Sequence, residues 1–373
     1  MPLINVKLIE GVFDASQKRE IVEKLTDAMV EIEGENMRPV TWCVVEEVRS
    51  GDWGIGGQPL TTADVKNLAA GVPPRRSTRP LAAESGSEGL PSRSRSKHRG
   101  GAMKVAEVNG VELEYDVAGS GEPVLLISPV LADGFLPLQF EPVLADHYQL
   151  IRYHKRGWAG STHTEPPVSI EDHAADAAAL LDHLDVSRAH VAGHSSGAAV
   201  ALQLALDRSE VVHTVSVLEL SLLSVSSGAA FLQAAGPAFE AYAAGDHETA
   251  IAMFMSGVSG LDWETCRDLL DDRVPGAVPQ AIKDADTFFG IELPALTEWV
   301  FGAEQAAVIE QPVLSVLGSN TEPLWVEVDD RLRAWLPHAE TSTIERAGHL
   351  LHIQRPESVA RGIAQFLGSH PMA

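Results

Sequence analysis

The chain has 373 residues, 45% of them hydrophobic and 21% charged, with 28 Lys and Arg against 52 Asp and Glu. That length exceeds one ordinary core and predicts two domains, one of them large. A net charge of −24 repels phosphate backbones and anionic bilayers, so neither nucleic acid nor membrane is expected as a partner. There is no apolar run of the roughly 18 residues that a membrane helix needs, and the amino terminus lacks the basic-then-apolar order of a secretory signal, so the expected location is cytoplasmic. Cys43 and Cys266 fall in different predicted domains, which excludes an intradomain disulfide framework.

Residues 1–70 read as a small βαβ unit. Ile4, Val6 and Leu8 alternate with more polar positions, as in a half-buried strand. Asp14 and Ser16 offer N-caps for a helix whose Ile21, Leu25, Ala28, Met29 and Ile32 share one face, with Gly34 as its stop. A second strand runs from Trp42 to Val48 and leads into a glycine-rich turn, Gly51 to Gly57. One helix on two strands buries too little surface to stand alone, so this unit is expected to fold within an oligomer.

Residues 71–102 change to Pro, Ser, Gly, Arg and Ala with almost no aliphatic pattern, which predicts a flexible basic linker. Arg75, Arg76, Arg79, Arg93, Arg95, Lys97 and Arg99 read as solvated linker charges.

Residues 103–373 alternate short aliphatic runs, at 124–127, 149–153, 190–192, 215–218 and 313–317, with segments of helical periodicity. The fold class is therefore α/β, a mostly parallel sheet with helices on both faces. A helical insert at about 225–308 would lie above the carboxyl ends of the strands as a cap. Its aromatic and sulfur side chains make Met253, Phe289 and Trp299, with Trp158 from an earlier loop, the candidate substrate contacts, and suggest a bulky apolar substrate.

Chemistry concentrates where the strand Ala189-His190-Val191-Ala192 runs into Gly193-His194-Ser195-Ser196-Gly197 and then the helix former Ala198-Ala199-Val200. This is G-x-S-x-G between a strand and a helix, the context in which a tight turn exposes a strained nucleophilic serine. Here the region resembles the α/β-hydrolase family over about its whole length. The resemblance implies Ser195 as nucleophile and a histidine base near the C-terminus, for which Ala347-Gly348-His349 matches better than the nearby His352. Most relatives place an Asp after the penultimate strand, where this chain has Gly318-Ser319-Asn320-Thr321. Glu219, at the end of Val217-Leu218-Glu219, is the alternative seat, with Glu322 in reserve. The implied oxyanion donors are the backbone N–H groups of Ser196 and Val130, since Pro129 has none to give. In Tyr153-His154-Lys155-Arg156-Gly157-Trp158, His154 stands where Asp is usual, and the loop reads as structural.

A serine nucleophile argues against aspartate-based dehalogenation, and neither a metal-ligand spacing nor a phosphate loop is present, so no cofactor and no metal are expected. Cofactor-free hydrolysis of a small-molecule ester or lactone remains. Gly-His-Ser-Ser-Gly-Ala with the acid at Glu219 is similar to fungal resorcylic-lactone hydrolases that open zearalenone.

Residues 1–70 resemble the 4-oxalocrotonate tautomerase family through Pro2 behind a removable Met1, the strand–helix–strand order and Gly54-Ile55-Gly56-Gly57. The resemblance implies Pro2 as a secondary-amine base and assembly into a homo-oligomer. The family's substrate-gripping arginines would fall at Val12 and Trp42 and its pocket aromatic at Trp53, so tautomerase activity rests on Arg38 or Arg49 substituting. The composite reading is a hydrolase fused to a tautomerase-like unit. Alternatives are a carbon–carbon bond hydrolase and tautomerase of aromatic catabolism, or a non-catalytic ligand-binding protein on a hydrolase fold.

Overall fold

The computed structural model describes residues 3–48, 53–55, 58–69 and 103–372. The chain divides into two compact units, Met1–Arg95 and Ser96–Ala373. Pro2, Arg49 and the stretch 71–102 lie outside the described residues.

In the first unit, β1 (Leu3–Ile9) pairs in parallel with β2 (Trp42–Val48), Leu3 opposite Trp42 and Ile9 opposite Val48. The crossover helix Ala15–Glu33 starts at Asp14, whose carboxylate accepts from the backbone N–H groups of Ser16 and Gln17, while the Gln17 side chain reaches back in a capping box. It stops at Gly34. Ser16 lies inside the helix rather than capping it. Beyond the expected βαβ, Trp53–Ile55 and Gln58–Leu60 form an antiparallel hairpin, β3 and β4, followed by a helix at Thr62–Ala69. Among the described residues of this unit only Ile9 and Val30 are buried hydrophobics, while Ile32 and Trp42 are 82% and 57% exposed. The Arg38 guanidinium is engaged by Glu35 at 2.6 Å and Asp27 at 2.7 Å.

The second unit is built on an eight-stranded sheet: β5 (Lys104–Val108), β6 (Val111–Gly119), β7 (Glu122–Ile127), β8 (Tyr148–Tyr153), β9 (Ala189–His194), β10 (Val212–Leu218), β11 (Val313–Gly318) and β12 (Glu340–Ile344), in the order β12-β11-β10-β9-β7-β8-β6-β5. The strands from β7 onward pair in parallel, and β6 runs antiparallel to both its neighbours. The parallel strands are aliphatic throughout because both faces are covered. Leu125 and Ile127 of β7 enter one core, and Val124 and Leu126 enter the other. The first core receives the helix Ser196–Asp207, and the second receives the helix Pro356–Ser369 through Ile363, Phe366 and Leu367.

From β7 the chain winds to one side through β8 and to the other through β9. A crevice therefore opens at the carboxyl ends of these strands, where doubly wound sheets bind ligands. The register places Leu218 opposite both His194 and Val316, so β9 and β10 end at one level and β11 runs two residues further, to Gly318. Between β10 and β11 the chain makes only helices, from Ser226–Ala234 to Ala303–Ala306, including a π-helical turn at Phe288–Glu292. No helix among the described residues is long and apolar enough to cross a membrane.

Candidate active site

Ser195 follows β9 directly and precedes the helix Ser196–Asp207. Its backbone sits at φ 58° and ψ −118°, a conformation that costs a non-glycine residue about 1–3 kcal/mol. The flanking glycines make the turn possible by close approach. A Cβ on Gly193 would stand 2.2 Å from the Gly197 carbonyl oxygen, and one on Gly197 would stand 2.1 Å from that of Ile127. The fold thus supports the turn from both sides and holds the Ser195 hydroxyl above the amino end of a helix, where partial positive charge gathers.

Glu219 is the first residue past β10, and His349 lies in the loop after β12. The imidazole bridges the other two side chains, its Nε2 3.1 Å from Ser195 Oγ and its Nδ1 2.8 Å from Glu219 Oε2. Glu219 has no exposed side-chain surface, so its charge needs donors. It receives the Gly318 N–H at 2.7 Å and the Thr321 hydroxyl at 2.9 Å in addition to His349. The segment that lacks the usual Asp therefore touches the site by supplying donors to a carboxylate seated one strand away. Glu322 is exposed at the start of the helix Pro323–Trp335.

The His349 ring lies flat against Trp325, centroids 3.7 Å apart and planes 19° off parallel. Its loop is tied down by His194, whose Nε2–H donates to the His349 carbonyl at 2.9 Å. His352 is fully buried behind, its ring 4.2 Å from that of His194, with no hydrogen-bond partner for either nitrogen among the described residues. Burial, with the nearby His349 adding to it, pushes the His352 pKa down to about 3. Such an imidazole stays neutral, and it is His349 that meets Ser195 Oγ.

Sequence reasoning missed three polar neighbours. Ser221, two residues past Glu219, places its hydroxyl 2.8 Å from Ser195 Oγ. Lys155 is buried and donates from Nζ to Glu292 at 2.7 Å and to the Ser196 hydroxyl at 3.3 Å. Glu292, from the π-helical turn of the cap, also accepts from Trp158 Nε1 at 2.8 Å. Burial lowers the Lys155 pKa, while the adjacent Glu292 opposes the shift. Within the same loop His154 is held between Glu114 and Asp133 at 2.8 and 3.0 Å, away from the serine.

Ser195, Ser196, Val130 and His349 line one cavity, closed by Phe231, Phe254, Met255, Phe288 and Trp325, with about 30 Å³ of free space. The four expected substrate contacts lie outside its wall, and each has a physical reason. Trp158 is held in the core by Glu292. Trp299 donates to Gln203 at 2.9 Å and stacks on Phe301. Phe289 stacks on Tyr242, turned away by its position in the π-helical turn, so its neighbour Phe288 faces the serine instead. Met253 is 46% exposed on the far side of the helix His247–Ser259, whose buried face carries Phe254, Met255 and Val258. Among the described residues no group of three or more His, Cys, Asp or Glu could hold a metal ion.

Comparison with known proteins agrees with this architecture. The model of the "Tautomerase enzyme" family matches residues 2–63, and that of the "Alpha/beta hydrolase family" matches residues 124–361. The chain is 24% identical over 281 residues to the uncharacterized hydrolase YugF of Bacillus subtilis, covering 70% of this chain and 96% of that one. A shorter match, 35% identical over 116 residues, to RutD of Azorhizobium caulinodans covers 31% of this chain and 43% of that relative. Among solved structures, a hydrolase from Pseudomonas aeruginosa superposes with a TM-score of 0.59 at 22% identity over 72% of this chain and 100% of that one. An enol-lactonase from Burkholderia xenovorans does so at 0.59 and 19% over 71% and 100%. With more than half its length matched by one family and its sheet shared with these solved structures, the chain belongs to the alpha/beta hydrolase family, with a tautomerase-like unit at its amino end.

Proposed function

We propose that the larger unit is a serine hydrolase that cleaves a carboxylic ester or lactone through an acyl-enzyme on Ser195. The observation that carries this reading is the His349 imidazole, placed between a hydroxyl at 3.1 Å and a buried carboxylate at 2.8 Å. The Nδ1–H donated to Glu219 fixes the tautomer, leaving the Nε2 lone pair to take the Ser195 proton as Oγ attacks the carbonyl carbon. The imidazolium so formed lies against Glu219. Negative charge on the tetrahedral oxygen falls to the backbone N–H groups of Ser196 and Val130, both on the cavity wall. As the intermediate collapses, His349 returns the proton to the leaving alkoxide. In a second round it deprotonates water to release the acid. In a lactone the alcohol stays attached and the ring opens. The local similarity of the serine motif to hydrolases that open zearalenone supports macrocyclic lactones as one substrate group to test.

In this reading the first unit assembles the chain into a homo-oligomer, supported by the sparse core among its described residues and by exposed Trp42 and Ile32, and Pro2 as a free amine is its candidate base. The test of the hydrolase is turnover of p-nitrophenyl butyrate and of zearalenone by the full chain and by Ser195→Ala, His349→Ala and the double variant. Each single variant should lose about 10³-fold or more in kcat, and the double no more than the singles, because the residues act as a unit. Retained turnover in Ser195→Ala would remove the assignment.

A further inference from the structure

We propose that a second cavity, half-open to solvent on the outer face of the cap helices, holds the hydrocarbon limb of the substrate, and that Phe231 and Phe254 form a gate between it and Ser195. The inference rests on the ester or lactone reading above and names the substrate class of that same site.

The space around Ser195 is about 30 Å³, room for little more than a reacting carbonyl. On the other side of the same helices lies a cavity of about 690 Å³, within the usual range of small-ligand sites. The two share Phe231, Phe254 and Val258 as common wall. Phe254 and Val258 are one turn apart on the helix His247–Ser259, so a single helical edge divides the inner space from the outer. Phe231 comes from the helix Ser226–Ala234 and meets Phe254 edge to face, ring centroids 6.3 Å apart. Its other flank is 5.7 Å from Trp325, which stacks on His349. A swing of the Phe231 ring therefore joins the cavities within reach of the imidazole.

The outer wall specifies what it takes. Ala252, Met253 and Trp263 give it an apolar surface, and Glu248, Thr249 and Ser256 supply its polar atoms. Among the described residues no Lys, Arg or His lines it, and the one charged group there is an exposed carboxylate. An anionic head group would be repelled there, whereas an uncharged alkyl or aryl chain would find cover. Met253, exposed and flexible, suits a wall that adapts to chains of different shape. The matching substrate has a long apolar acyl limb on a carbonyl that enters the inner space.

The experiment compares kcat/KM for p-nitrophenyl acetate and decanoate in the full-length protein and in Ala252→Trp, which fills the outer cavity. Each buried methylene contributes roughly fourfold, so burial of about four of the extra methylenes makes the wild type favour decanoate by about 100-fold or more, and Ala252→Trp should cut the decanoate-to-acetate ratio by about 30-fold. An unchanged ratio overturns the proposal. A second measurement avoids turnover and any folding defect of that variant. Methyl decanoate titrated calorimetrically into full-length Ser195→Ala should bind, and binding should be at least about tenfold tighter than for methyl butyrate. No binding, or equal binding of the two, overturns the cavity assignment. If the wild type cleaves no ester at all, the hydrolase reading fails while this titration still reports on the cavity.

Discussion

At the level of single residues, the site turns on which of two adjacent histidines and which of two carboxylates is used. Glu219 accepts from three donors, His349, Gly318 and Thr321. A glutamine there has one oxygen to offer them, so its amide N–H must face a donor. We expect Glu219→Gln to lower kcat by about 10²–10⁴-fold, and Glu322→Gln, altering an exposed side chain, to stay within about twofold of the wild type, measured with one ester under saturating conditions. Reversed effects would move the acid to Glu322. His352 makes a separate prediction for stability. Its folded pKa is about 3 against an ordinary 6.5, so the native state keeps it neutral while the unfolded chain takes up a proton below 6.5. Its stabilising contribution is thus fully present above pH 6.5 and is lost as pH falls toward 3, at about 1.4 kcal/mol per unit. Burial also holds His194 and His173 well below their ordinary range, so they steepen the same loss. Urea unfolding between pH 7 and 4 should show a shallower decline for His352→Phe by about one proton. Parallel declines would contradict a neutral buried His352.

Among the secondary elements, patterns with a single strong signal were legible and those that depend on phase were not. The run into Gly193-His194-Ser195-Ser196-Gly197 placed a strand, a turn and a helix correctly because three local constraints coincide there. The hairpin of β5 and β6 was missed, although Val111, Leu113 and Tyr115 are buried on alternate positions. Glu112, Glu114 and Asp116 fall between them, so the period of two was present in the sequence. In the cap, Phe254, Met255 and Phe288 line the cavity at Ser195 while Met253, Phe289 and Trp299 do not, because the side each faces depends on helical rotation. One residue is about 100° of turn, which separates Met253 from Phe254, and the π-helical turn rotates Phe289 away from Phe288. The same turn delivers Glu292 to Lys155, a long-range pairing that no local pattern could announce. Removing one partner of such a buried pair strands a charge. We expect Lys155→Met to cost about 3–5 kcal/mol in urea unfolding, and Lys155→Met with Glu292→Gln to recover most of it. A double variant as unstable as the single would show that the pair contributes through packing rather than charge.

At the scale of the whole molecule, the division into a small amino-terminal unit and a large hydrolase could be read from composition, since aliphatic patterning fades and returns around 71–102. The carboxylate that meets His349 was legible only as one of two alternatives, because the sheet register that brings the ends of β9 and β10 level beside β11 is a tertiary fact. The first unit has Ile9 and Val30 as its only buried hydrophobics among the described residues, too few for independent stability. If it associates through the face bearing Trp42 and Val44, sedimentation equilibrium should find an oligomer for the full chain and a smaller species for Trp42→Glu combined with Val44→Lys. An unchanged mass would place the contact elsewhere. The proposed chemistry requires that His349 make the hydroxyl at position 195 nucleophilic. It is tested most directly by treating the full-length protein with a fluorophosphonate and mapping the adduct by peptide mass spectrometry. We expect one adduct per chain on Ser195, formed about 10³-fold more slowly in His349→Ala. No adduct, or one on another residue with Ser195 unmodified, would contradict it.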